Sequence, residues 1–446
     1  MLFLRSAMTK ILKINLIAIF ISLALGQLVR FNLTPQIAFY LHDLLIVSFI
    51  ILSFINYFIR QFFIKPTISF APLLKLNHQL KKIFGPLIIY FIIFIIFYLM
   101  IQNFFIVHSS IAYLYQCRFF LYLIFLFLLF FQPLFSTKKQ SLLISTFFIT
   151  FAFLGFTQYL LIPDTSALEY LGWDDHYYRL ISTWLDPAFT GLAFVFGIIF
   201  YSSLFSLKKI NIHCKKTIIS IIIFLFIALI LTYSRSSYLA LFAVGAFYFY
   251  HHQKTFAVSL KNYWFQLGRK KQLFITSALF GFITVVIISL TFLGFKHPSD
   301  STNLFRTNSI TIRLEALQNK TKSLNLQAWL FGKGFFIGDS EPNNLYSPSN
   351  QEKMSKQTMA FSDNLLILLI TFLGLPVSMI LIWYLYRFLK YLYFFYESNF
   401  YLLLAVIVNA QFNQSFFQPF VLLLFGLLSI FFYHANSHSK ATKHQL

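Results

Sequence analysis

Side chains able to do chemistry are scarce in this 446-residue chain, and the informative ones fall into four short polar segments. The first is Tyr178-Arg179-Leu180-Ile181-Ser182-Thr183-Trp184-Leu185-Asp186-Pro187. It brings a guanidinium and a carboxylate close together, unless Tyr178 and Trp184 merely anchor it at a membrane interface. The second is Thr232-Tyr233-Ser234-Arg235-Ser236-Ser237, a turn between two apolar runs. A turn this tight has no structural need of a charge. Arg235 could present its planar fork to a phosphate there, or snorkel to lipid headgroups. The third begins at Ile310 to Leu324, which reads as an amphipathic surface helix carrying Arg313 with Leu314 and Leu317. It continues into Ala328-Trp329-Leu330-Phe331-Gly332-Lys333-Gly334, where the glycines allow a tight turn or a close backbone approach to an anion. The fourth is Ser362-Asp363-Asn364, at the mouth of a run that contains Gly374 and Pro376. Its carboxylate either caps a helix or serves as a proton acceptor.

Positioning these segments falls to apolar runs. Hydrophobic residues make up 59% of the chain and charged residues 11%, with a mean hydropathy of +0.74. This composition excludes an ordinary soluble domain. Runs at roughly 14–29, 38–59, 86–106, 112–135, 141–162, 188–206, 217–233, 236–251, 273–293, 363–386, 398–416 and 418–433 are mostly long enough to span a bilayer. The fold class expected is an all-α, polytopic transmembrane bundle of about 12 spans, forming a single integral membrane domain over 1–446. The first run follows Arg5, Lys10 and Lys13 and is read as a retained helix rather than a cleaved signal, because the charge alternation requires it.

That alternation settles the net charge of +22. Basic residues cluster after the second, fourth, sixth, eighth and tenth runs, for example Lys208, Lys209, Lys215 and Lys216 after the sixth. Every second loop is therefore basic, which predicts cytoplasmic termini and removes any need for a nucleic-acid partner. Of 13 acidic residues, 11 belong to two long outward loops, 163–187 and 294–362 with Asp363 at its end. Function tends to sit in such loops. Two further charges lie inside spans. By helical rise, Asp43 is about 8 Å and Arg118 about 9 Å below the outer surface. Intramembrane charges at matched depth form either a structural ion pair or the floor of an outward-open cavity. His42 reads as a packing residue, and His176 and His297 lack partners at ligand spacing, so no metal is expected. Cys117 and Cys214 fall at different depths, which excludes a disulfide between them.

Taken in order, these features resemble the O-antigen polymerase and O-antigen ligase superfamily of bacterial inner-membrane glycosyltransferases. The resemblance runs from about Arg118 to Gly374. It rests on Arg179 with Asp186-Pro187, on Thr232 with Ser234-Arg235, on Arg313 with Phe331-Gly332-Lys333-Gly334, and on Asp363-Asn364 followed by Gly374. The ligase branch has histidine before the residue matching Asn364, whereas this chain has Asp363, which favours a polymerase. The resemblance implies a multi-pass inner-membrane location, with both long loops periplasmic. It also implies a polyprenyl-pyrophosphate-linked oligosaccharide as donor, and no cofactor. Arg235, Arg179 and Arg313 are then expected to stabilise charge growing on the pyrophosphate leaving group. Asp363 is the expected general base, with Asp186 next. Lys333, Asn364, Arg118 and Asp43 complete the expected substrate contacts. Expected partners are membrane lipid and, within this family, a chain-length regulator protein. The alternatives are a ligase moving glycan to lipid A-core and, in another class, a lipid-linked oligosaccharide flippase. A flippase would place charges along a central cavity at mid-membrane depth.

Overall fold

A computed structural model describes residues 2–34, 37–63, 90, 94–95, 97–99, 101–102, 110–171, 176–205, 212–266, 315, 318, 321–322, 324–334 and 364–443. Lipid offers no hydrogen bonds to a backbone, so an apolar run must satisfy its own N–H and C=O groups as a helix. The described runs do so. They form α1 (Leu2–Leu25), α2 (Leu41–Phe63), α3 (Ser110–Phe131), α4 (Thr137–Leu161), α5 (Pro187–Phe205), α6 (Ile212–Leu231) and α7 (Arg235–Gln266). After a short α8 (Leu326–Phe331) come α9 (Leu365–Leu373), α10 (Leu375–Phe395), α11 (Glu397–Asn409) and α12 (Pro419–Lys443). Among the described residues, seven helices are long and apolar enough to cross a membrane. The runs at 86–106 and 273–293 and most of loop 294–362 lie wholly or largely outside the described residues.

The core is aromatic. Phe147, Phe148, Phe151, Phe194, Phe196, Phe200 and Phe420 pack with Trp184 in one buried cluster. Helix α5 runs through its middle, against α6, α7 and α11. Close approach there depends on Gly191 and Gly197. A Cβ at Gly191 would sit 2.6 Å from Ser237 Oγ, and one at Gly197 2.8 Å from Leu225 Cδ1. Small residues at helix contacts are what membrane packing favours, since lipid supplies no hydrophobic push between helices. On the outside, large apolar side chains such as Phe242, Leu160 and Ile14 stand exposed. That surface suits lipid as the solvent.

Three departures from the sequence reading bear on the site. A β-hairpin, β1 (Arg30–Thr34) and β2 (Ile37–Tyr40), joins α1 to α2 with Arg30 paired to Tyr40 and Phe31 to Phe39. The run 363–386 is not one helix: it breaks at Gly374, whose φ of +77° cannot continue an α-helix. The run 398–416 stops at Asn409, and 410–418 forms a turn rich in amides.

Candidate active site

Arg179, Asp186 and the Thr232–Ser237 turn meet at one end of the bundle. Helix α6 ends at Leu231 and α7 starts at Arg235, leaving carbonyls at the α6 C-terminus without intrahelical partners. Arg179 reaches them from the preceding loop. It is buried, with Nε donating to Thr232 O at 3.1 Å and Nη2 to Tyr233 O at 3.3 Å. Leu180 N–H adds a bond to Leu231 O at 2.9 Å. A cation at a helix C-terminus also meets the negative end of the dipole. Four non-glycine residues among those described have positive φ: Tyr178, Ser182, Leu185 and Tyr233. All four lie in these two meeting segments, and strain concentrated in this way is a mark of functional loops. Burial raises the Tyr233 hydroxyl above its ordinary range.

Asp186 opens α5. Its Oδ1 accepts from Ala188 N at 2.7 Å and from Phe189 N at 2.9 Å, a helix N-cap. Trp184 is 1% exposed, so it is a core residue and not an interfacial anchor. Its Nε1 donates to Leu23 O at 3.0 Å, while Thr183 Oγ1 donates to Ala24 O at 2.7 Å. The loop before α5 is thus pinned to the end of α1.

The turn also engages a set of amides that the sequence reading did not single out. Asn409 Nδ2 donates to Ser236 Oγ and Ser237 Oγ, each at 3.2 Å, and Asn413 Nδ2 to Ser236 Oγ at 2.8 Å. Ser415 Oγ donates to Asn409 Oδ1, Ser234 Oγ bonds Ser237 Oγ at 2.9 Å, and Ser237 Oγ donates to Ala188 O at 3.0 Å. The signal available in sequence was Asn409, Gln411, Asn413, Gln414 and Gln418 crowded between two apolar runs. Polar groups of that density within a membrane helix pair call for partners.

Asn364 joins the same assembly. It caps α9 through Oδ1, accepting from Leu366 N at 3.0 Å and Ile367 N at 3.3 Å, and its Nδ2 donates to Gln411 O at 3.3 Å. Leu365 N–H donates to Ala410 O at 2.9 Å. The α9 mouth is therefore tied to the amide turn, which is tied to the serines beside Arg235. Asp363 and Arg313 lie outside the described residues.

Asp43 and Arg118 are paired. Arg118 Nε donates to Asp43 Oδ1 at 2.9 Å, and Nη2 stands 2.9 Å from Asp43 Oδ2. Tyr122 donates to the same carboxylate, and Tyr40 N–H donates to it at 2.8 Å, tying in the β-hairpin. The Arg118 guanidinium lies over the Tyr40 ring at 4.6 Å. Burial pushes the Tyr40 hydroxyl up, with Arg118 opposing. Nη2 meets the carboxylate off the hydrogen-bond direction and makes no hydrogen bond. Arg118 also lines a cavity of about 250 Å³ with Tyr115, Phe119, Phe189, Phe372 and Gln414. Of this group, Arg118 and Tyr122 line the cavity, while Asp43 is not among its lining residues.

The Lys333 segment packs on the α9–α10 break. Lys333 N–H donates to Thr371 O at 2.7 Å. A Cβ at Gly332 would meet Phe372 O at 2.4 Å, and one at Gly374 would meet Leu330 O at 2.2 Å. The backbone approach that Gly332 permits is thus to the chain itself. Gln102 Nε2 donates to Phe331 O at 2.8 Å and Phe372 O at 2.7 Å, and Tyr98 donates to Leu373 O at 3.0 Å. These bonds satisfy carbonyls that the break leaves unpaired.

A family model described as O-antigen ligase matches residues 220–382. This match, over somewhat more than a third of the chain, supports the O-antigen ligase and polymerase superfamily. The matched stretch starts within α6 and ends within α10, so it contains Arg235, Arg313, Lys333, Asp363 and Asn364. Arg118, Asp43, Arg179 and Asp186 precede it. No curated protein and no solved structure matches the chain. The family match and the seven apolar helices support a membrane protein with a glycosyltransferase-like role, and the flippase alternative is not favoured.

Proposed function

We propose that this superfamily member is a polymerase, transferring a polyprenyl-pyrophosphate-linked glycan onto a second lipid-linked repeat unit at the periplasmic face. The product is O-antigen or a related surface polysaccharide. One observation carries the reading. Arg235 is the first residue of α7, so its cation adds to the positive end of that helix instead of neutralising it. That placement costs stability without an anion and gains it with one.

In the transfer, an acceptor hydroxyl attacks the anomeric carbon of the donor sugar. The carbon–oxygen bond to pyrophosphate breaks, and its electrons leave on the pyrophosphate oxygen. Arg235, with Arg313 and Lys333, stabilises that charge, while Arg179 acts through the turn whose carbonyls it holds. The hydroxyl proton goes to Asp363, with Asp186 as second candidate. Asn364 sets the α9 mouth beside the amide turn. The cavity bounded by Arg118, which Asp43 holds, and by aromatic rings receives the apolar or sugar portion of the substrate. Asp363 in place of the ligase-type histidine favours the polymerase reading.

The test is deletion of the gene followed by electrophoresis of surface polysaccharide. A core bearing one repeat unit is the expected result. An unmodified core with accumulated lipid-linked polymer would assign a ligase, and accumulated inner-leaflet precursor a flippase.

A further inference from the structure

Of the 13 acidic residues, 11 belong to the two outward loops and Asp43 is paired with Arg118. The remaining one is Glu397, the first residue of α11. It lies at the end of the α7–α11 pair away from the Ser236–Asn409 contacts. From Ser236 to His252 the helical rise is about 24 Å, the thickness of most of a bilayer. The loops expected on that face are rich in lysine and arginine, yet among the described residues the ion pair of Glu397 is with a histidine. His252 Nε2 stands 2.6 Å from Glu397 Oε1. His251, next along α7, is close enough that one ligand atom from each of the three residues lies within 4.8 Å of the other two.

Two phenols orient the cluster. Tyr401 OH donates to Glu397 Oε1 at 2.7 Å, and Tyr393 OH bonds His251 Nδ1 at 2.9 Å, leaving His251 Nε2 as the ligand atom. Outer partners of this kind fix ring orientation and carboxylate geometry in metal sites. Tyr248 packs its ring 4.6 Å from that of His252, completing an aromatic wall.

We propose that His251, His252 and Glu397 bind a divalent transition-metal cation of the zinc class. Two imidazoles and a carboxylate are a borderline ligand set suited to that class and not to magnesium or calcium. The ion replaces the proton shared by His252 and Glu397, whose donor atoms move to about 3.3 Å apart, as bonds of about 2.0–2.1 Å at tetrahedral angles require. It thereby clamps α7 to α11 at the end opposite the serine and asparagine contacts.

The test uses the full-length protein purified in detergent without a histidine tag, titrated calorimetrically with ZnCl₂ at neutral pH. Wild type is expected to bind one equivalent and to melt at higher temperature when zinc is present. Glu397→Gln retains the hydrogen-bonding shape, so it should fold, and it should lose binding together with His252→Ala. Tyr401→Phe should weaken binding by about tenfold, the usual cost of removing an orienting partner. No stoichiometric binding by wild type, or binding that persists in the His252→Ala/Glu397→Gln double variant, overturns the proposal.

Discussion

At the scale of single residues, charge and hydrogen-bonding shape can be separated by substitution. Arg235→Ala should abolish polymer while leaving protein level intact, because a lost phosphate contact in a desolvated site costs a few kcal/mol. Arg235→Lys keeps the charge but not the fork, so only part of the activity should return, read as laddering on gels after complementation of a deletion strain. Full activity in Arg235→Ala would reduce the residue to a headgroup anchor. Asp363 has a different diagnostic. The α9 cap belongs to Asn364, and Asn keeps the shape of Asp, so Asp363→Asn should be nearly silent if the carboxylate is not the base. If it is the base, activity should fall by about 10²-fold or more. A wild-type ladder from Asp363→Asn would move the role to Asp186. Asp363→His should be inactive as a polymerase without gaining ligase activity, because acceptor choice depends on a wide surface.

At the scale of elements, the α9–α10 break is the feature most open to test. Gly374 has φ +77°, and its missing Cβ leaves room for Leu330 O. Gly374→Ala should therefore push the 330–334 segment off the break, lowering activity and making that segment a new site of limited proteolysis. Gly245→Ala is the control: nothing lies within 4 Å of a Cβ there, and α7 should gain by about 0.5–1 kcal/mol from the better helix former. Equal behaviour of the two variants would show that the packing of Gly332 on Gly374 does not matter. The break was only half legible in the sequence. Gly374 and Pro376 are breaker residues, but an apolar run of this length reads as continuous when its neighbours are not known. What makes the break stable is Gln102 and Tyr98, from 270 and 275 positions earlier in the chain.

At the scale of the whole molecule, the alternation of basic and acidic loops predicts that 294–362 faces the periplasm and Cys214 the cytoplasm. Cysteines placed at Ser301 and Ser349 in a Cys117→Ser background should react with an impermeant thiol reagent in intact spheroplasts, and Cys214 should not. Labelling of Cys214 alone would invert the topology. The structure bears on this through coherence. The α1 C-terminus, the α5 N-terminus, the α6–α7 turn, the α9 mouth and the α11 C-terminus are joined by hydrogen bonds at one end of the bundle. The alternation places those same five ends on one side of the membrane.

Sequence by itself determined the membrane class and the positions of most helices, because burial in lipid acts on every residue of a run and leaves a signal in composition. It also marked the turn at Arg235 and the mouth at Asn364, where a charge or a cap interrupts apolar chain. Only the tertiary structure decided what those groups touch. Arg179 is turned onto the carbonyls of Thr232 and Tyr233, Asp43 is matched to Arg118, and Asn409 is joined to serines 172 and 173 positions earlier. A hydrogen bond is set by distance and direction between two groups. Neither quantity is carried by the spacing of residues along a chain whose helices can pack in many orders.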